Sequence, residues 1–156
     1  MATKKMAIIA TKGALDMAYP PLILASTAAA LGWEVQIFFT FYGLQLLRKD
    51  LSGIAISPIG NPAMPMPVPM PTLVAALPGM EAMATMMMKN KMKAKGVASL
   101  AELRSLCLEA DVKFIACQMT VDLFGFNHDD FIPGLDFAGA ATFLPVAQKA
   151  DVSLFM

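Results

Sequence analysis

"KKMAIIATKGALDMAYPPLILASTAAALGWEVQIFFT", residues 4–40, decides the fold. Met6 to Ala10 is a short apolar run that ends in a turn containing Lys12 and Gly13, which is the pattern of a buried strand. Asp16 opens an Ala/Leu-rich stretch that continues to Leu31 and stops at Gly32. A carboxylate in the first turn complements the helix dipole, and a glycine just past the last turn accepts the left-handed cap. Pro20 and Pro21 fall in the first turns, so regular helix is expected mainly from Pro21. EVQIFFT, residues 34–40, is β-branched and aromatic and reads as a second strand. Two strands joined by one helix run parallel, with a right-handed crossover.

The same alternation continues outward. FYGLQLLRKD (41–50) reads as a short helix. SPIGNPAMPMPVPMP (57–71) holds six prolines and three methionines, which excludes a regular helix or a central strand and leaves polyproline II or irregular loop. A Met-rich helix is expected over 79–95. A second helix is expected over 99–110, with Ser99 and Glu102 as its capping box and Leu100, Leu103, Leu106, Cys107 and Ala110 as its apolar face. VKFIAC (112–117) is a third strand, Met119 to Phe124 a short helix, 125–134 a loop, 136–150 a helix containing Pro145, and 152–156 a last strand. This order means an α/β layer fold with a mainly parallel sheet, and 156 residues suit a single domain spanning 1–156. Such sheets place ligands outside the carboxyl ends of their strands, here Thr11-Lys12-Gly13, Thr40-Phe41 and Cys117.

Composition narrows the function. Apolar residues make up 57% and charged residues 15%, against roughly half and a quarter in ordinary domains, so surface is hidden beyond the core. Oligomer interfaces or a membrane surface would hide it. Twelve basic residues balance twelve acidic ones, which speaks against nucleic acid. Cys107 and Cys117 make no disulfide framework, and there is no CxxC. His128, Asp129 and Asp130 are adjacent and cannot all face one ion without an unusual loop, so no metal is expected. Residues 17–33 are uncharged, but Asp16, Pro20-Pro21 and the preceding strand argue for a core helix over a signal peptide, and a cytoplasmic protein is expected. Residues 54–80 are also uncharged, yet their seven prolines exclude a spanning helix.

Cys117 is the first candidate for chemistry. It stands between a buried strand and a helix start, where free N–H groups lower a thiol's pKa. Lys12 is a candidate cation, provided the first and third strands are neighbours. The alternative is a buried cysteine packing as a small hydrophobe. Cys107, on an apolar helix face, reads first as a core residue and second as a resolving or relay thiol. Met80, Met83 and Met87 share helical spacing, while Met86-Met87-Met88 covers more than one face, so some methionines meet a partner or an oligomer interface. Lys89, Lys91, Lys93 and Lys95 follow, as a solvated helix end or as a basic surface for an anionic membrane or acidic partner.

KGALDMAYPPLILASTAAALG (12–32), VQIFFTFYGLQLL (35–47) and EADVKFIACQMTVDLFG (109–125) together resemble the DsrE/DsrF-like family of sulfur-relay proteins, in its longer branch of DsrE-type sulfurtransferases, also called peroxiredoxin-like. Cys117-Gln118-Met119-Thr120 after a strand is the most specific piece. The resemblance implies a flavodoxin-like three-layer sandwich and a sulfur carrier that holds sulfane sulfur as a persulfide on Cys117. Cys107 matches a second cysteine of this branch. Lys12, Gly13, Thr40, Met119 and Thr120 stand as supporting residues. It also implies homo- or hetero-oligomers (trimers, tetramers or hexamers), TusA-like or rhodanese-like partner carriers, and no cofactor. Two other functions remain open: an oligomeric binding module using the Met/Pro-rich surface, and a thiol redox protein, for which Cys107 is the only intramolecular resolving thiol.

Overall fold

The computed structural model describes residues 2–58, 67–68 and 71–156. Residues 59–66 and 69–70, most of the Pro/Met-rich segment expected at 57–71, lie outside the described residues. In chain order the elements are β1 (Lys5–Ala10), α1 (Leu15–Ala30), β2 (Glu34–Phe39), a 3₁₀ segment (Phe41–Leu47), α2 (Thr72–Ala75), α3 (Met80–Ala94), α4 (Leu100–Glu109), β3 (Lys113–Cys117), α5 (Gln118–Phe124), a 3₁₀ turn (His128–Asp130), β4 (Asp136–Ala138), α6 (Ala140–Gln148) and β5 (Val152–Phe155). The five strands form one sheet in the order β4-β3-β2-β1-β5, and every pairing is parallel. This is the three-layer, flavodoxin-like arrangement, with its own strand order in place of the 2-1-3-4-5 order of flavodoxin itself.

The period-2 alternation of each strand sorts side chains between two cores. Met6, Ile8 and Ala10, then Val35, Ile37 and Phe39, then Phe114 and Ala116 face α1 and α4. Ala7, Phe38, Ile115 and Cys117 face the other way, against Phe143 of α6. Phe39 meets Phe114 edge-on at 5.1 Å, and Phe38 stacks on Phe143 at 5.0 Å. Burying each such aromatic contributes about 1.5–3 kcal/mol, so the strand faces are held firmly in register.

Helix α1 begins at Leu15 and runs through Pro20 and Pro21, several residues earlier than expected. Leu15 N–H donates to the Ala55 carbonyl at 2.7 Å, and Leu15, Ala18, Pro21 and Leu22 are buried, which offsets the amide bonds that the prolines cannot make. Its end is as expected. Gly32 takes φ +80°, and Trp33 N–H reaches the Ala28 carbonyl at 3.0 Å, closing a Schellman motif.

The short helix expected over 41–50 is a 3₁₀ helix that ends at Leu47, and Phe41 enters it with φ +48°. A Cβ on Gly43 would collide with the Ala10 carbonyl, so this segment lies directly on the end of β1. The expected helix at 136–150 is instead strand β4 followed by the shorter α6. Gly139 separates them in extended conformation, and Asp136, Phe137 and Ala138 pair with Ile115, Ala116 and Cys117. Among the described residues, no helix is long and apolar enough to cross a membrane.

Candidate functional site

Cys117 is the last residue of β3 and the N-cap of α5. It is a free thiol, 5% exposed, on the sheet face that α6 covers. Register brings Thr40 beside it: Phe39, the last residue of β2, pairs with Ala116, and Thr40 follows directly. Thr120, one turn into α5, is fully buried. Its Oγ1 lies 3.2 Å from Thr40 Oγ1 and accepts the Phe41 N–H at 3.3 Å. With one lone pair engaged by that amide, the Thr120 hydroxyl proton is free for Thr40 or for the sulfur.

Electrostatics at the sulfur follow from these positions. Burial by itself pushes the Cys117 thiol up. The side chain and backbone N–H of Thr120, the Thr40 side chain and the Met119 N–H outweigh it and hold the thiol below its ordinary value. No cap bond of strict geometry joins the thiol to the first turn. The effect comes from several donors gathered around one atom, each of which strengthens when that atom carries charge. Thr40, Met119 and Thr120 therefore meet at Cys117.

Lys12 does not. Strand β2 lies between β1 and β3, so the adjacency on which its role depended is missing. Lys12 lines an open hollow with Met17, Tyr42 and Gln45 instead. Gly13 beside it is there for packing, since a Cβ would collide with the Tyr42 carbonyl. The crevice at the topological switch, between β1 and β5, is occupied by Met156. Its carbonyl accepts the Thr11 N–H at 2.8 Å and the Thr11 hydroxyl at 2.9 Å. The candidate site thus lies two strands away from the place where open α/β sheets usually bind ligands.

Cys107 belongs to the other core. It is fully buried among α1 and α4 side chains, and its thiol donates to the Leu22 carbonyl at 3.3 Å. Burial, only partly countered by a hydrogen bond from the Ser26 backbone, pushes it up to about 11. The sheet separates the two sulfurs, because Cys107 packs on one face and Cys117 points to the opposite one. An intramolecular disulfide would require the sheet to open.

Sequence reasoning missed three features. Phe41 stands at a strand end that the sequence marked, but the role of its backbone N–H in anchoring Thr120 was not expected. Exposed apolar side chains form a rim on the two segments next to the site: Tyr42 (65% exposed) stacks on Phe124 at 6.2 Å, and Met119 (59%) and Leu123 (62%) lie on α5. Gln118, at the start of α5, bonds His128 at 3.1 Å and Asp122 at 2.8 Å, while His128 stacks on Phe137 of β4 at 3.8 Å. That chain ties the loop after α5 to the residue next to the sulfur. A fourth feature supports the site from behind. Buried Arg104 donates to the carbonyls of Leu46 (2.9 Å) and Arg48 (2.7 Å), fastening the end of the 3₁₀ segment that begins after Thr40.

Comparison with known proteins agrees with this architecture. The chain is 62% identical, over the full length of both proteins, to the "Sulfur carrier protein DsrE2" of Allochromatium vinosum. It is 33% identical to the uncharacterized protein YrkE of Bacillus subtilis, covering 99% of this chain and 98% of that one. Among solved structures, the ychN protein from E. coli superposes with a TM-score of 0.56 at 12% identity, over 99% of this chain and 100% of the other, and so shares the fold. The model of the DsrE/DsrF/DrsH-like family matches residues 2–155, and this chain belongs to that family.

Proposed function

We propose that this protein is a sulfur carrier that holds sulfane sulfur as a persulfide on Cys117. The observation that carries this reading is the place of Cys117 at the end of β3 and the N-cap of α5, beside the paired Thr40 and Thr120 hydroxyls; with the Met119 N–H, these groups hold the thiol below its ordinary value. The thiolate is the nucleophile of sulfur exchange, and the groups that hold this thiol below its ordinary value favour that form. The Cys117 thiolate attacks the outer sulfur of a donor persulfide, R–S–SH. A new S–S bond forms at Cys117, the old one breaks, and the donor leaves as its thiolate. An acceptor thiolate then attacks the outer sulfur of Cys117–S–SH, takes it, and returns Cys117 to the thiolate. Each step is an exchange with no net oxidation. The name of the Allochromatium relative supports the reading, as does the apolar rim, which suits a protein partner better than a free polar metabolite.

TusA-like or rhodanese-like carriers are the partners that the family resemblance implies, with the protein working as a homo-oligomer in the cytoplasm. Cys107 stays outside the reaction. A thiol peroxidase would need a resolving thiol, and the sheet stands between the two cysteines. The test is intact mass after exposure to polysulfide, for the wild type, Cys117→Ala and Cys107→Ala. Wild type and Cys107→Ala should gain whole sulfur atoms that a reductant removes, and Cys117→Ala should gain none. Equal loading of Cys117→Ala would end the proposal.

A further inference from the structure

A persulfide offers two sulfurs to an incoming thiolate, and the outcome depends on which is attacked. Attack on the outer sulfur of Cys117–S–SH forms a new S–S bond to the acceptor, breaks the old one, and expels the Cys117 thiolate. Attack on the inner sulfur leaves a mixed disulfide on Cys117 and expels hydrosulfide, so the sulfur is lost. Neither route is a net oxidation. Hydrosulfide is the more stable leaving anion in water, so leaving-group stability alone would favour the second route. The rate of such exchange also depends on access to each sulfur. Cys117 is 5% exposed and packs with Phe38, Ile115 and Phe143 in the core that α6 covers. An added sulfur finds room only on the side where the residue meets solvent. Displacement at sulfur is in line, so inner attack must come from the packed side and outer attack from the open one.

We infer that the packing around Cys117 and the paired hydroxyls of Thr40 and Thr120 direct an acceptor thiolate to the outer sulfur, so that the site passes sulfur on and does not release hydrosulfide. The inference rests on the persulfide reading and assigns what decides the outcome at that same site. The hydroxyls act on the leaving group. Thr120 is fully buried, its Oγ1 accepts the Phe41 N–H at 3.3 Å, and it lies 3.2 Å from Thr40 Oγ1. Whichever threonine donates to the other, one proton of the pair remains for the sulfur. Burial pushes the Cys117 thiol up, yet the Thr120 and Thr40 side chains are among the groups that hold it below its ordinary value. Such bonds strengthen as their acceptor gains charge. Charge grows on the Cys117 sulfur only when the outer sulfur is taken, so the pair lowers the barrier of that route and leaves the other unchanged.

The test follows one turnover of the full chain in a Cys107→Ala background. The protein is loaded with polysulfide, freed of excess, and shown by intact mass to carry one extra sulfur. One equivalent of N-acetylcysteine is added without oxygen, and the reaction is quenched with acid at intervals. Outer attack returns bare Cys117, and inner attack adds the mass of the thiol to the protein. The reference protein should end chiefly as bare Cys117. Thr120→Val should slow that transfer about tenfold with mixed-disulfide formation at its former rate, so the mixed-disulfide share rises by about the same factor. Thr120→Ser, which keeps the hydroxyl, should restore the partition. The product formed by the reference protein is read without any variant, so a misfolded one leaves the test standing. Loaded reference protein that ends chiefly as the mixed disulfide overturns the inference and leaves the persulfide reading intact. A valine variant with unchanged rate and products also overturns it. Protein that takes up no sulfur overturns the persulfide reading and the inference together.

Discussion

Replacing Thr120 with valine tests the donor cluster most sharply. The side chain keeps its shape and loses its hydroxyl. In the wild type that oxygen is fully buried, 3.2 Å from Thr40 Oγ1 and 3.3 Å from the Phe41 N–H, and its hydrogen bond is among those that lower the Cys117 thiol. A hydrogen bond to a charged group is worth about 1.5–3 kcal/mol. Because Thr40 and the Met119 N–H remain, the lower end applies, which corresponds to about tenfold less thiolate at any pH below both midpoints. A more basic thiolate is also a better nucleophile, with a Brønsted coefficient of about 0.4–0.5, and this recovers about threefold. The assay is the rate of Cys117 alkylation by iodoacetamide across pH, in a Cys107→Ala background. The two profiles should cross. Thr120→Val should react about threefold slower near neutral pH and about threefold faster where both thiols are ionised. Thr120→Ser keeps the hydroxyl and should follow the wild type. Superimposed profiles for the valine variant would show that the hydroxyl does not act on the sulfur.

Other consequences follow from the same contacts. Gly43→Ala forces a methyl against the Ala10 carbonyl and should cost about 1–3 kcal/mol, read as a lower midpoint in thermal unfolding. Arg104→Met leaves the Leu46 and Arg48 carbonyls without their donor, and should lower stability by about 1–3 kcal/mol in urea titration. Cys107 is held neutral, pushed up to about 11 from 9.0. Its contribution to stability is full below 9.0 and is lost as pH rises through about 11, so urea midpoints should fall across that window in the wild type and less in Cys107→Ala.

Much of the fold was legible because the signals were local. The strand–helix–strand reading of residues 4–40 needed only an apolar run, Asp16, Gly32 and a β-branched aromatic run, each acting within a turn or two. Strand β4 was not legible. Three residues carry no periodicity, and Asp136–Ala138 is a strand only because β3 offers it an edge. Strand order was likewise hidden, so the condition on Lys12, that β1 neighbour β3, could be decided only from the sheet, where β2 keeps them apart. Thr40, Met119 and Thr120 could be found because each stands beside a strand end or at a helix start. Phe41 was marked as a strand end too, but its contribution, a backbone N–H donated to Thr120, has no side-chain signal in the sequence. The separation of Cys107 from Cys117 came only with the sheet, whose two faces divide the sulfurs.

The central claim is that sulfur rests on Cys117 and moves on from it. The most direct measurement loads the protein with polysulfide, removes the excess, and adds a second protein bearing a single reactive thiol, with both masses followed in time. The account expects one sulfur atom to leave this chain as one arrives on the acceptor, with no transfer from Cys117→Ala. A wild-type protein that never takes up sulfur, or an acceptor loaded equally well by Cys117→Ala, would contradict it.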